Sequence, residues 1–258
     1  MISNISQKLI YVSLLLLMAG TLGGWAIIEK LNGHQGDYGF LYLGVVITVM
    51  VFCAQCWMYF SMRGRIFIDL VFLNTLGLSL AWFMLALFIP LLWVDIAGLN
   101  IRFAMLALLV WLSVSNAVKG FGFFYDKWSE LEERDRMEIL ARQDNFIGWD
   151  GLILWMKFSP DIYIPGLSKN LTKILSVVMV FLMIAGFGLR NISPAVSIFA
   201  VGVPSAVVIS FFFQQIGFNV AQARKVRELE CEYKVTLCQK PQKTRLRKNL
   251  RKKRNDKV

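Results

Sequence analysis

Apolar residues along this chain do not alternate or recur with a helical surface period. They run in six long blocks separated by short polar turns, at residues 9–28, 40–60, 68–93, 101–118, 172–189 and 195–216. Each block is about long enough to cross roughly 30 Å of hydrocarbon as a helix rising about 1.5 Å per residue. The pattern predicts an all-α integral membrane protein, a bundle of six transmembrane helices. The first block begins after Lys8 and continues through Trp25, Ala26, Ile27 and Ile28, longer than the apolar core of a signal peptide, so it reads as a retained span. The domain plan is four spans over 1–118, an amphipathic insertion over 119–171, two spans over 172–216 and a basic tail over 217–258.

Within the insertion, Glu130 with Arg134, Glu132 with Arg136 and Glu138 with Arg142 place acid before base at i,i+4, which predicts a solvated charged helix over 126–145. Its apolar edge is Trp128, Leu131 and Leu140. The aromatic group Phe121, Phe123, Phe124, Tyr125 and Trp128 reads as an interfacial belt. The apolar stretch 146–158 is too short to span and is expected to lie at the membrane surface or to dip in and return. The sixth helix is expected to continue past the membrane to Cys238, with Cys231 and Cys238 on one face, and the chain after Pro241 to be disordered.

Composition supports this reading. The 258 residues are 57% hydrophobic and 17% charged, with a mean hydropathy of +0.56, more apolar than soluble domains. The net charge of +11 suggests a nucleic-acid binder until it is located: residues 222–258 hold 14 Lys and Arg against 4 acids. Basic residues also orient the bundle. Arg63 and Arg65 follow span 2, eight Lys or Arg lie from Lys119 to Lys173, and the tail follows span 6. The opposite loops carry only Lys30, Arg102 and Arg190. Both termini are therefore expected in the cytoplasm of a cell whose plasma (inner) membrane holds the protein. Cys53 and Cys56 lie in span 2 and Cys231 and Cys238 in the tail, so no structural disulfide is expected.

Candidate chemistry is sparse. Asp69 and Arg102 lie within about a turn of their span ends, from which they are expected to reach the headgroups, and the membrane centre carries only neutral polar residues. No span holds a histidine to activate a nucleophilic serine. No metal, cofactor or catalytic signature is present. Gly20 and Gly24, and Gly202 with Ala206, have the small-xxx-small spacing of close helix packing. Gln55, Asn74 and Pro204 could instead line a polar pocket for a neutral solute. In the tail, Arg245, Arg247, Lys248, Arg251, Lys252, Lys253 and Arg254 are expected to meet anionic lipid headgroups. Docking on an acidic protein is the next reading. Nucleic acid is less favoured, because residues 239–258 contain no aromatic side chain for base stacking.

The expected function is that of a non-enzymatic assembly, scaffold or regulatory component of a larger membrane machine, with secretion or conjugative transfer as one such setting. Three tryptophans, Trp128, Trp149 and Trp155, together with the cationic tail would supply its contact face. A small channel or carrier for a neutral solute is the rival, and an interfacial enzyme on lipid-linked substrates, using Asp144, Asp150 and Asp161, comes third. Self-association is compatible with the small-residue faces.

Overall fold

A computed structural model describes residues 7–31, 38–61, 64–93, 98–131, 146, 147, 149, 153, 156–189, 191–234 and 236–239. Six helices carry the fold: α1 (Gln7–Leu31), α2 (Gly39–Ser61), α3 (Ile66–Trp93), α4 (Leu99–Ser129), α5 (Lys169–Leu189) and α6 (Pro194–Tyr233). All six are long and apolar enough to span a membrane, and only helices satisfy their own backbone groups within such a segment. The chain is a multi-pass helical membrane protein.

Helices α3 and α6 form the centre. Helix α6 packs on α3, α4 and α5, while α1 packs on α3 and carries α2 at the edge. Burial follows this order: 56% of the apolar window of α6 is covered, against 11% for α5 and 17% for α2. Helix α6 is thus the spine, with α2 and α5 at the periphery. It starts with Pro194 in its first turn, where the missing N–H is not needed. Pro204 lies inside the continuous helix, as does Pro90 in α3.

The two longest helices exceed by most what a single crossing needs. The 31 residues of α4 and the 40 of α6 make rods of about 46 and 60 Å, against roughly 30 Å of hydrocarbon. Their overhanging ends lie beside the start of α3 and form a second hydrophobic core of Ile66, Leu70, Phe124, Trp128, Trp149, Phe218, Val226 and Leu237, among others. Helix α6 ends at Tyr233 because Lys234 turns left-handed (φ 53°) and its N–H returns to the Glu230 carbonyl. The chain then folds back. The Leu237 carbonyl accepts from the Ile66 N–H at 3.1 Å, Arg65 bridges Cys238, and β1 (Phe146–Ile147) pairs in parallel with β2 (Cys238–Gln239).

Several expectations change here. The helix that carries span 4 continues past 118 to Ser129. Of the helix expected over 126–145, residues 126–129 belong to α4, 130 and 131 form a turn and a bend, and residues 132–145 lie outside the described residues. The aromatic group on α4 is not an interfacial belt facing lipid at every position, since Phe124 and Trp128 are buried and Phe123 meets both Phe158 and Phe218. Trp149 is 1% exposed, so Trp128 and Trp149 are core residues rather than a contact face. Trp155 lies outside the described residues. Cys238 sits in β2, not on the helix that carries Cys231. Asp69 does not reach outward to headgroups, being 2% exposed in the first turn of α3, where the helix dipole favours a carboxylate.

Candidate functional site

Two polar arrangements interrupt the apolar interior. The first joins α1, α2 and α3 within the membrane span. The Gln55 amide donates to the Ser13 hydroxyl at 2.8 Å and to the Thr75 hydroxyl at 3.0 Å. Ser13 and Ser79 share a hydrogen bond of 2.6 Å, and Ser79 also donates to the Thr75 carbonyl. Gln55 is fully buried. Asn74, one residue before Thr75, is half-buried, and its Oδ1 has no protein partner. Pro204 is buried in α6. A cleft of about 670 Å³ opens between α2 and α4, and none of Gln55, Asn74 or Pro204 lines it. The structure therefore places Gln55 in a three-helix clasp and does not gather the three residues around this cleft.

The second arrangement fastens the overhang. From α6, Gln214 accepts from the Asp161 N–H at 2.8 Å, and Gln222 accepts from the Trp149 indole at 3.1 Å. From α4, Asn116 donates to the Tyr163 carbonyl at 2.9 Å, and Lys119 pairs with Asp161 at 2.6 Å while lying over the Tyr163 ring. Phe158 stacks on Phe218 with ring centres 4.0 Å apart. The segment after Met156 is thus clamped onto both helices by polar and aromatic contacts. On the outer surface of α6, Glu228 pairs with Lys225 and Arg224. The Lys225 hydrogen bond is the main reason its carboxyl lies below the usual carboxylate range; burial opposes it, and the Lys225 charge and Arg224 add smaller lowering effects.

Close backbone approach holds α4 to α6. A Cβ on Gly120 would overlap the Gln214 carbonyl, and one on Gly217 would overlap the Ala117 carbonyl. Of the four small residues singled out in sequence, Gly20 brings the Phe83 backbone within 2.9 Å of where its Cβ would stand, and Gly24 brings the Phe40 ring within 2.5 Å. Gly202 has ordinary contact with Leu91 at 3.6 Å, and Ala206 is fully buried. Gly120 and Gly217 were not selected from spacing because they serve opposite helices. The stripe of Gln214, Gln215, Asn219 and Gln222, near i,i+4 spacing on an apolar helix, is the signal that could have located the overhang. The tail residues Arg245, Arg247, Lys248, Arg251, Lys252, Lys253 and Arg254 lie outside the described residues.

Among the described residues no group of three or more potential metal ligands occurs. The four cysteines are free thiols. Comparison with known proteins finds no family model that matches the chain, and no curated protein or solved structure significantly similar to it.

Proposed function

We propose that this protein is a non-enzymatic assembly or scaffold component of a larger machine in the plasma membrane, inserted with both termini in the cytoplasm. One observation carries the reading: α6 runs unbroken from the bilayer into a folded overhang, and that overhang holds the root of the cationic tail at Leu237 and Cys238. A buried spine that ends in a folded closure and leads into a charged sequence suits docking better than it suits turnover. The basic residues that follow span 2, span 4 and span 6 in the sequence support the orientation. The seven basic tail residues would engage anionic headgroups first, at about 1 kcal/mol each near the surface, and an acidic partner surface second.

The test is a mild-detergent pull-down from native membranes, comparing the full chain with one ending at Gln239, which keeps Leu237 in its seat. A stoichiometric protein partner lost on shortening is the expected result. Recovery of lipid and self alone from both chains overturns the reading. For the solute-carrier rival the discriminating position is Gln55. Its two donated bonds support a packing role, so a cysteine placed there is expected to resist a membrane-impermeant thiol reagent; ready labelling would favour a water-filled path.

A further inference from the structure

The end of α6 carries its charges in an order that helix electrostatics does not favour. Counted outward from the apolar part of the helix, Arg224, Lys225 and Arg227 come first, and Glu228, Glu230 and Glu232 follow before the end at Tyr233. A helix dipole favours cations in the last turn, where α6 has none, and ion pairs along a helix gain more with the acid ahead of the base. The pairs here run base before acid: Arg224 and Lys225 with Glu228, and Arg227 with Glu230 at 3.7 Å. An anion on the apolar side of these pairs accounts for the order, because it attracts the cations and repels the acids.

The position of the cations fits a headgroup layer. Val220 is the last exposed aliphatic residue of α6. Arg224 lies four residues beyond it, about 6 Å, and Arg227 seven residues, about 10 Å. Headgroups occupy about 5–8 Å outside the hydrocarbon on each side, and long basic side chains bend back to cover the remainder. Two of the charged heads are held by aromatic rings, Lys225 over Trp128 at 5.5 Å and Arg227 over Phe67 at 5.4 Å. Arg224 and Arg227 nevertheless stay open, each side chain being 66% exposed. Arg65, exposed just before α3 begins and two residues from Phe67, adds a fourth cation at this corner. The three cations of α6 draw on two carboxylates, and one oxygen of Glu230 is already committed to the Leu237 N–H. The corner thus keeps a surplus of positive charge.

We infer that the collar of Arg65, Arg224, Lys225 and Arg227 binds the phosphate of an anionic phospholipid. The inference stands apart from the assembly reading: it needs only the multi-pass fold, and it concerns the helix rather than the tail.

For the test, the full-length protein in phosphatidylcholine nanodiscs is titrated with a phosphatidylglycerol analogue bearing a diazirine on its headgroup, irradiated, and mapped by peptide mass spectrometry. Labelling of 64–71 and 218–230 is expected to saturate, while the matching phosphatidylcholine analogue labels them weakly and linearly. Arg227→Gln should raise the half-saturating fraction about fivefold, the worth of one basic residue near an anionic surface. The decisive variant combines Arg224→Glu with Glu228→Arg, which reverses the order and keeps the net charge. It should raise the half-saturating fraction at 218–230 about tenfold or more, leave labelling of 240–258 unchanged, and melt near the parent temperature, since its pair has the favoured order. Arg224→Gln with Arg227→Gln takes its place if it fails to fold. Unchanged saturation in the reversed variant overturns the inference, as does labelling confined to 240–258. Displacement of the label by inorganic phosphate, but not by sodium chloride of equal ionic strength, also overturns it, because the site would then serve a soluble phosphate.

Discussion

At the scale of single residues, the absence of a side chain matters as much as its presence. Gly120 and Gly217 let α4 and α6 meet backbone to backbone, and any Cβ at either site would strike a carbonyl of the facing helix. Gly120→Val is expected to destabilise the protein by about 3 kcal/mol or more, at the upper end of overpacking costs, read as a lowered unfolding midpoint in detergent. Gly122→Ala, where a Cβ would meet nothing within 4 Å, should be close to neutral. The contrast two residues apart on one helix separates close approach from helix propensity. The clasp at Gln55 is a smaller matter. Gln55→Leu gives up two interhelical hydrogen bonds, each worth about 0.6 kcal/mol on average in membranes. Reversible unfolding in mixed micelles should therefore show a loss near 1 kcal/mol. A null effect would mean that Ser13, Thr75 and Ser79 satisfy one another without it.

At the scale of elements, the six spans are legible because a run of about twenty apolar residues has few stable alternatives to a transmembrane helix. The overhang is not, and the reason is physical. Phe121 to Trp128 look the same in sequence whether they face lipid headgroups or a core, since aromatic side chains suit both. What decides is Phe158 and Phe218, far away in the chain, which close over Phe123. The charged outer face of α6 was readable, but its contribution is modest. The carboxyl of Glu228 is held below its ordinary value, mainly by Lys225, so the folded state binds fewer protons than the unfolded one around pH 4. The stabilisation is present above the unfolded carboxylate range and is lost as pH falls through the lowered folded value. Because the Glu228 side chain keeps 40% of its surface exposed and solvent screens the pair, Glu228→Gln should lower stability at neutral pH by less than about 0.5 kcal/mol. Helical circular dichroism during denaturant titration should show that difference shrink and vanish as the pH falls below the ordinary carboxylate range.

At the scale of the whole molecule, the proposed orientation rests on charge placement in the sequence, and α6 joins the apolar bundle to the second core at its end. Cys231 is exposed near the end of α6, so a membrane-impermeant maleimide should label it in inverted vesicles and spare it in intact cells. The reverse pattern would invert the topology. How the end of α6 is closed was not readable from sequence, because a helix expected to run on to Cys238 gives no hint that the chain doubles back. The closure depends on Leu237, 5% exposed in the overhang core, whose carbonyl takes the Ile66 N–H and whose N–H meets the Glu230 carboxylate at 3.0 Å. Two shortened chains isolate it. One ending at Gln239 keeps every one of these contacts and should match the full chain in thermal midpoint and in size-exclusion profile. One ending at Lys234 removes the leucine from a core that includes Trp149 and Val226, at a cost of about 2–5 kcal/mol for a buried leucine side chain, with the Ile66 N–H left unpaired in addition. That chain should melt markedly lower and expose its aromatic core to aggregation. Identical behaviour of the two chains would show that α6 stands without its closing strand, and the overhang would then be a covering on the spine rather than a part of it.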